Sequence, residues 1–324
     1  PSFLAQSNVE YYYANEKTIP ESTDSNTANR KIDKLFSNKN QLALIVSKED
    51  KLKESNLIER LGNIEGVENV KGLYSLVDIA IPENLIPEDI INNFQSEKYS
   101  LININLNLPM EGEITDKALN SIDKTTSNLY DEWYLTGEAA IYSDLEQVTS
   151  KDFNNVTIIS IIIITGIILI ASKSLSIPII LVFVIQLGIW INLAIPYFQG
   201  QPLNFIAFII IGAIQLGATV DYAILYTFRF KENLEKLPNK KEVAIKTIED
   251  TGRSILTSAL ILFTGTLSVY LITSMRNTAE LTLLIGRGAI ISLALVLVAL
   301  PSLLIIFNNI IGKTTIDWPK VLNK

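Results

Sequence analysis

Five stretches of this chain are so long and so apolar that a lipid bilayer is the natural solvent for them, and that one feature limits the fold more than any other. They run from Val156 to Ala171, Ile177 to Phe198, Leu203 to Phe228, Ile255 to Ile272 and Leu281 to Phe307. A hydrocarbon layer of ~30 Å needs about 20 apolar residues in helical form. Within it each backbone N–H and C=O must find its partner inside the segment, which a helix provides. The first run holds only 16 residues, so its helix is expected to begin earlier, in the polar stretch around Asp152 to Asn155. Any single run would also suit the core of a soluble protein. Five in succession, with little polar sequence between them, argue against that. The composition agrees: 48% of the 324 residues are hydrophobic, 19% are charged, and the mean hydropathy is +0.29.

The residue inventory closes off much chemistry. Cysteine and histidine are both absent. Disulfides, thiolate or imidazole metal sites, Ser-His-Asp triads and histidine proton shuttles are therefore excluded. Proton chemistry falls to carboxylates, Lys or Tyr, and neither a cofactor nor a metal is expected. A pI near 4.9 argues against nucleic acid, which asks for a basic face. The first residue is Pro1 and no signal sequence follows it, so the chain is expected to be a fragment or a processed product.

Charge is divided unevenly. Residues 1–152 carry 14 basic and 26 acidic side chains, whereas residues 153–324 carry 13 and 8. Between the spans, Arg229, Lys231, Lys236, Lys240, Lys241, Lys246 and Arg253 crowd one loop, and Lys313, Lys320 and Lys324 lie in the tail. Tyr197 to Pro202 has no basic residue and Ser274 to Glu280 has only Arg276. By the positive-inside rule, loop 229–253 and the tail 313–324 are expected in the cytoplasm, with a five-span domain over 153–312 and an extracytoplasmic domain over 1–152. Within that loop, Lys241 to Asp250 reads either as an amphipathic connector lying on the membrane surface or as a solvated helix.

The acidic part has its own periodicities. Gln41 to Ser47 is a β-branched run, a helical pattern follows through Leu52, Leu57, Ile58 and Leu61, and Val67 to Leu76 is strand-like again. The order then repeats: Tyr99 to Leu108 alternates apolar and polar residues, Thr115 to Tyr130 is helical, and Trp133 to Thr136 closes the set. With the Pro82 and Pro87 connection between the halves, this is expected to be an α/β domain of the ferredoxin-like, split βαβ kind. A final amphipathic stretch, Glu138 to Asp152, leads into the first span and is expected to couple the domain to the membrane. No catalytic constellation, phosphate cradle or calcium loop is spelled out.

Asp221 is the only acidic residue inside the apolar runs. It precedes Arg229 by eight residues, about 12 Å along a helix and well inside the hydrocarbon. A carboxylate there is costly unless paired, hydrated or protonated, which makes it a candidate proton carrier. Ala213, Gly217 and Asp221 are spaced by four and share a face, so a second helix can approach closely there. Tyr222 adds a hydroxyl about 100° further round. Ser258, together with Ser254, Thr257, Thr264 and Thr266, could hydrogen-bond across helices or merely join them. Gln215 is left without a role, and Arg287, near the outer end of the last run, reads as a snorkelling anchor.

The string G-A-T-V-D-Y-A-I-L-Y-T-F-R-F-K-E, Gly217 to Glu232, resembles the Gly, Asp-Tyr, Arg segment in the fourth helix of MMPL-type transporters of the resistance-nodulation-division (RND) superfamily. Similar likeness runs through Leu135 to Leu145, Thr251 to Leu260 and Gly286 to Leu304. Tyr11 to Ile19 resembles the start of a second-half porter domain, so a carboxyl-terminal half of a longer two-repeat protein is expected. The resemblance implies a multi-pass cell-membrane protein and a non-enzyme. It implies proton-driven export of lipidic or hydrophobic molecules, with a proton gradient as the energy source. Asp221 and Tyr222 would form the relay, and Gly217, Thr219 and Ser258 would support it. The partners it implies are membrane lipid, a lipid-like substrate, and the missing amino-terminal half or another copy. A non-transporting scaffold or lipid-sensing module on the same five helices is the alternative.

Overall fold

The computed structural model describes residues 2–13, 20, 23–36 and 40–319. Their contacts divide the chain into two units: Tyr13–Val148, and a second made of Pro1–Tyr12 with Thr149–Lys324. The chain opens with a short helix α1 (Ser2–Gln6) and a two-residue strand β1 (Tyr11–Tyr12), both belonging to the second unit. Of the Tyr11 to Ile19 string, residues 14–19 lie outside the described residues, as do Lys320 and Lys324 of the tail.

The Tyr13–Val148 unit starts with helix α2 (Asp24–Phe36) and continues through strand β2 (Asn40–Ser47), α3 (Lys51–Gly62) and β3 (Val67–Lys71). After the short α4 (Leu73–Leu76) and a 3-10 turn at Glu83–Leu85 come α5 (Glu88–Phe94), β4 (Tyr99–Leu106), α6 (Glu113–Ser127) and β5 (Trp133–Gly137). The sheet order is β3-β4-β2-β5 with every neighbouring pair antiparallel. Alternation fixes which face is buried: Leu42, Leu44 and Val46 of β2 point with Ile102, Ile104 and Leu106 of β4 into the core. Leu57 and Leu61 of α3 and Leu119 and Ile122 of α6 cover that face. Asp50 caps α3 by accepting the Leu52 N–H at 3.3 Å. The run expected to be one strand to Leu76 stops at Lys71, and the chain turns at Gly72 into α4. Leu73 and Tyr74 are drawn into a separate small core with Ile86.

One residue in this unit goes against the pattern. Glu54 of α3 is 4% exposed, and its Oε2 accepts from Gln95 Nε2 at 3.2 Å. Burial raises its carboxyl above the ordinary value of 4.5.

The second unit holds α7 (Glu138–Ser172, counted here from Thr149), α8 (Ser176–Gln199), β6 (Leu203–Asn204), α9 (Phe205–Lys236), α10 (Lys240–Ile272) and α11 (Arg276–Ala294). A π-helical turn at Leu295–Ala299 joins α11 to α12 (Leu300–Ile306), and α13 (Asn308–Thr314) follows. Among the described residues, five helical segments are long and apolar enough to cross a membrane, the last being Arg276–Ile306 as a whole. The π turn falls just before Pro301, whose missing N–H interrupts the regular bond pattern. Gly200 ends α8 at φ +62°, and its N–H reaches back to the Pro196 and Tyr197 carbonyls. Asn204 caps α9 by accepting the Ile206 N–H at 2.9 Å.

Two boundaries differ from the sequence reading. The segment read as loop 229–253 is helical nearly throughout: α9 continues to Lys236, only 237–239 break the chain, and α10 runs unbroken from Lys240 to Ile272. Lys241 to Asp250 is helical, as its pattern indicated, but it is the first part of α10 and not a separate connector. Pro238 supplies the stop and Asn239 restarts the helix by capping Lys241 N at 3.0 Å. At the start of the chain, where 1–152 was read as one domain, Pro1–Tyr12 packs with the helices instead. β1 pairs in parallel with β6, the Phe3 ring stands edge-on to Trp190 at 5.3 Å, and the Tyr12 hydroxyl donates to Glu280 Oε2 at 3.0 Å. A strand pairing, an aromatic contact and a hydrogen bond within twelve residues hold this segment to the helices.

Candidate functional site

α9 presents two different faces. Ala213, Gly217 and Asp221 lie together on an exposed one, as their spacing of four requires. Among the described residues, no atom lies within 4 Å of the place a side chain on Gly217 would begin. Asp221 makes no hydrogen bond or ion pair with the described residues. Tyr222 is half-buried and leans on the apolar core formed around Tyr226, Phe230 and Val296. The two halves of the Asp-Tyr pair therefore face different surroundings: Asp221 looks out of the chain and Tyr222 into it.

The residues expected to support Asp221 do not gather round it. Ser258 is exposed on α10 and hydrogen-bonds to none of the described residues. Thr219 is 1% exposed and sits about 200° around the helix from Asp221. Of the three, only Gly217 shares its face.

Thr219 belongs instead to a buried polar chain that links three helices. Its hydroxyl donates to the Gln215 carbonyl at 2.6 Å and lies 2.7 Å from Ser292 Oγ of α11. Asn192 Nδ2 of α8 donates to Gln215 Oε1 at 2.8 Å and to the Leu284 carbonyl at 2.9 Å. Arg287 completes the chain: its Nε donates to Asn192 Oδ1 at 2.7 Å and its Nη2 to the Asn192 carbonyl at 2.9 Å. Arg287 is thus not the free anchor the sequence suggested, because α8 claims its guanidinium. No carboxylate among the described residues lies within ion-pair distance of it.

Close helix approach makes this possible. A Cβ on Gly288 would stand 2.8 Å from Gln215 Oε1 and 2.9 Å from Asn192 Nδ2, and one on Gly188 3.3 Å from Gln215 Nε2. Glycine at both positions leaves the room in which the two amides meet. The arrangement satisfies polar groups that hydrocarbon would penalise and ties α9 to α8 and α11 on the side away from Asp221. One face of α9 is locked and the other is open.

An α/β unit joined to a unit of five bilayer-length apolar helices, with one intramembrane carboxylate, defines a polytopic membrane protein. The model of the MMPL family matches residues 18–321, and the chain belongs to that family. It is 26% identical over 191 residues to the putative membrane protein ActII-3 of Streptomyces coelicolor, a match that takes in 57% of this chain and 26% of the relative. It is 22% identical over 266 residues to the putative membrane protein YdgH of Bacillus subtilis, 78% of this chain and 29% of that one. The chain therefore spans less than a third of the length of these curated relatives. Among solved structures, a heavy metal efflux pump aligns over 89% of this chain and 38% of its own, with TM-score 0.55 and 14% identity, a likeness of fold alone.

Proposed function

We propose that this chain is one repeat, the carboxyl-terminal one, of a proton-motive-force-driven exporter that moves lipidic or other hydrophobic molecules across or out of the bacterial cytoplasmic membrane. The observation that carries the reading is the open strip on α9. The one carboxylate of the apolar runs stands there with a glycine one turn before it and an alanine two turns before it. Charged, Asp221 resists burial against a partner helix; protonated, it accepts it. A proton then shifts the population between two packings of α9, and the porter domain opens and closes in response. Tyr222 is the hydroxyl member of the relay, and the facing helix comes from the amino-terminal repeat or another copy.

Membership of the MMPL family and the likeness to an efflux pump support the transporter class. The strand order β3-β4-β2-β5, with two helices on one face, supports reading the Tyr13–Val148 unit as a porter-type split βαβ domain. The basic residues from Arg229 to Arg253 favour placing the α9–α10 turn in the cytoplasm and the α/β unit outside.

The test is transport by the two-repeat protein in proteoliposomes under an imposed proton gradient. Asp221→Asn keeps the shape and removes the titrating group, so flux should vanish while insertion and yield remain. A normal rate in that variant would sink the relay. Lipid binding with no gradient-dependent flux in the unmutated protein would favour the scaffold or sensor reading.

A further inference from the structure

A second feature of the helical unit lies at the other end of the helices from β1 and β6. A groove of about 490 Å³ opens between α8 on one side and α12 and α13 on the other. Its walls are Ile179, Ile180, Phe183, Leu303, Phe307 and Ile310. Its polar lining residue, Ser176, already has its hydroxyl 2.7 Å from Thr314 Oγ1. Such a volume is in the range of small-molecule sites, and its walls offer a ligand no hydrogen bond. Ile179, Phe183 and Ile310 remain more than half exposed.

The polar end of the groove is built, and it is cationic. Thr315 Oγ1 donates to Ser174 Oγ at 2.6 Å, the Leu175 N–H to the Thr314 carbonyl at 3.2 Å, and the Ile316 N–H to the Lys173 carbonyl at 3.0 Å. This clip holds the turn before α8 against the end of α13. It fixes the backbone of two exposed lysines: Lys173, three residues before Ser176 and held at φ +49°, and Lys313, one helical turn past Ile310. Asp317 is the one carboxylate in segments 172–176 and 308–318, and it lies two residues past the clip. An occupant matching this site is apolar and unbranched along the groove and negative at its end.

We propose that the groove between α8 and α12–α13 is a binding site for one anionic phospholipid, an acyl chain along the walls and the phosphate held by Lys173 and Lys313. Lysines beside an apolar groove can extend their ammonium groups to headgroup level while their stems stay on apolar surface.

Trp318 packs on Asn308 and Gly312, the face of α13 turned away from Ile310, and does not line the groove. It is buried against α13, with its indole N–H donating to Asn308 Oδ1 at 3.1 Å and its ring 3.5 Å from the place a Cβ on Gly312 would occupy. The chain has three tryptophans, so Trp133→Phe, Trp190→Phe and Trp318→Phe together with Phe183→Trp leave a single indole, set in the groove wall. In phosphatidylcholine nanodiscs, its fluorescence is titrated with brominated phosphatidylglycerol or brominated phosphatidylcholine. Quenching should favour the anionic lipid, by roughly fivefold for each lysine, the share expected of one cation at an anionic surface. Lys173→Ala with Lys313→Ala should remove the preference. Ile179→Phe, which narrows the groove and keeps the lysines, should weaken the quenching. Lys231→Ala with Lys236→Ala, on α9, should change neither. Equal quenching by the two lipids, or a preference that survives loss of Lys173 and Lys313, would overturn the proposal. So would an indole at the groove wall that is shielded from bromolipid in a concentration-dependent dimer, which would assign the groove to a second copy. The measurement uses neither flux nor Asp221, so its failure leaves the transport reading where it stands.

Discussion

At the scale of single residues, the buried amides lie on the side of α9 away from Asp221. Two of the three polar atoms that Asn192 brings to the network belong to its side chain, so Asn192→Leu leaves Arg287 Nε and Gln215 Oε1 without these partners in apolar surroundings, while the backbone carbonyl at 192 still accepts from Arg287 Nη2. The expected cost is about 3 kcal/mol, read as a lower unfolding midpoint of the detergent-purified protein. Gly288→Val should be similarly damaging because its Cβ falls on both amides. An unchanged midpoint in both variants would show that the network contributes nothing to stability. Tyr222→Phe should cost far less flux than Asp221→Asn, since a water can stand in for a phenol but not for a proton carrier. Asp221 and its small-residue strip were legible in the sequence, because a carboxylate in an apolar run and a spacing of four are local facts. The Asn192, Gln215 and Arg287 cluster was not. Its members lie 23 and 72 residues apart, and only the crossing of three helices brings them together. Gln215 and Arg287 looked like isolated oddities for the same reason.

At the scale of elements, periodicity located the strands and helices well and their ends poorly. The alternation in Tyr99 to Leu108 and the β-branched run Gln41 to Ser47 located β4 and β2 to within two residues at each end. The extent of α9 and α10 was hidden because hydropathy marks where lipid stops, and a helix does not stop there. Arg229, Lys246 and Asp250 carry these helices beyond the apolar stretch through ion pairs at 3.3 and 3.4 Å. Buried Glu54 in α3 was equally invisible, being one acid among many in an acidic domain. It makes a prediction about pH. Its folded carboxyl holds a proton that the unfolded chain gives up near the ordinary value of 4.5, so the folded state binds more protons just above that value. Stability contributed by this group is complete below that value and is lost as pH rises through the elevated one. Urea melts of the α/β unit should thus weaken from about pH 4.5 towards neutrality, and Glu54→Gln should flatten the trend. A trend unchanged by the substitution would remove Glu54 as its source.

At the scale of the whole molecule, the division into two units has its own consequences. The Tyr13–Val148 unit closes a core of its own from β2, β4, α3 and α6, so it should be produced alone as a soluble, acidic α/β domain. Circular dichroism of a disordered chain would count against that. The helical unit is expected to behave otherwise. With the Ala213–Gly217 strip uncovered, the 324-residue chain should fail to transport by itself and should self-associate through α9. Gly217→Leu should reduce that association in a cross-linking assay without lowering yield. Proton-coupled flux from a demonstrably monomeric chain in liposomes would show the argument to be wrong.

The near-continuous α9–α10 hairpin turns the membrane segment into a stalk. From Asp221 to Lys236 the rod is about 22 Å long at 1.5 Å per residue. Its two arms are fastened where they leave the apolar stretch: the Tyr226 hydroxyl donates to the Ala244 carbonyl at 3.2 Å, and Asn233 Nδ2 to Thr247 Oγ1 and Asp250 Oδ2, both at 3.1 Å. Fastened arms swing together. A tilt of ~10° pivoting at Asp221 would carry the tip sideways by roughly 4 Å, an amplification that follows from the length of the rod. Spin labels placed at Lys236 and Lys241 should therefore keep a fixed distance from each other as the pH is changed, while both move against a label on α8. Under the proposed relay, the hairpin becomes a pointer whose reading, far from the bilayer's centre, reports the charge on one carboxylate inside it.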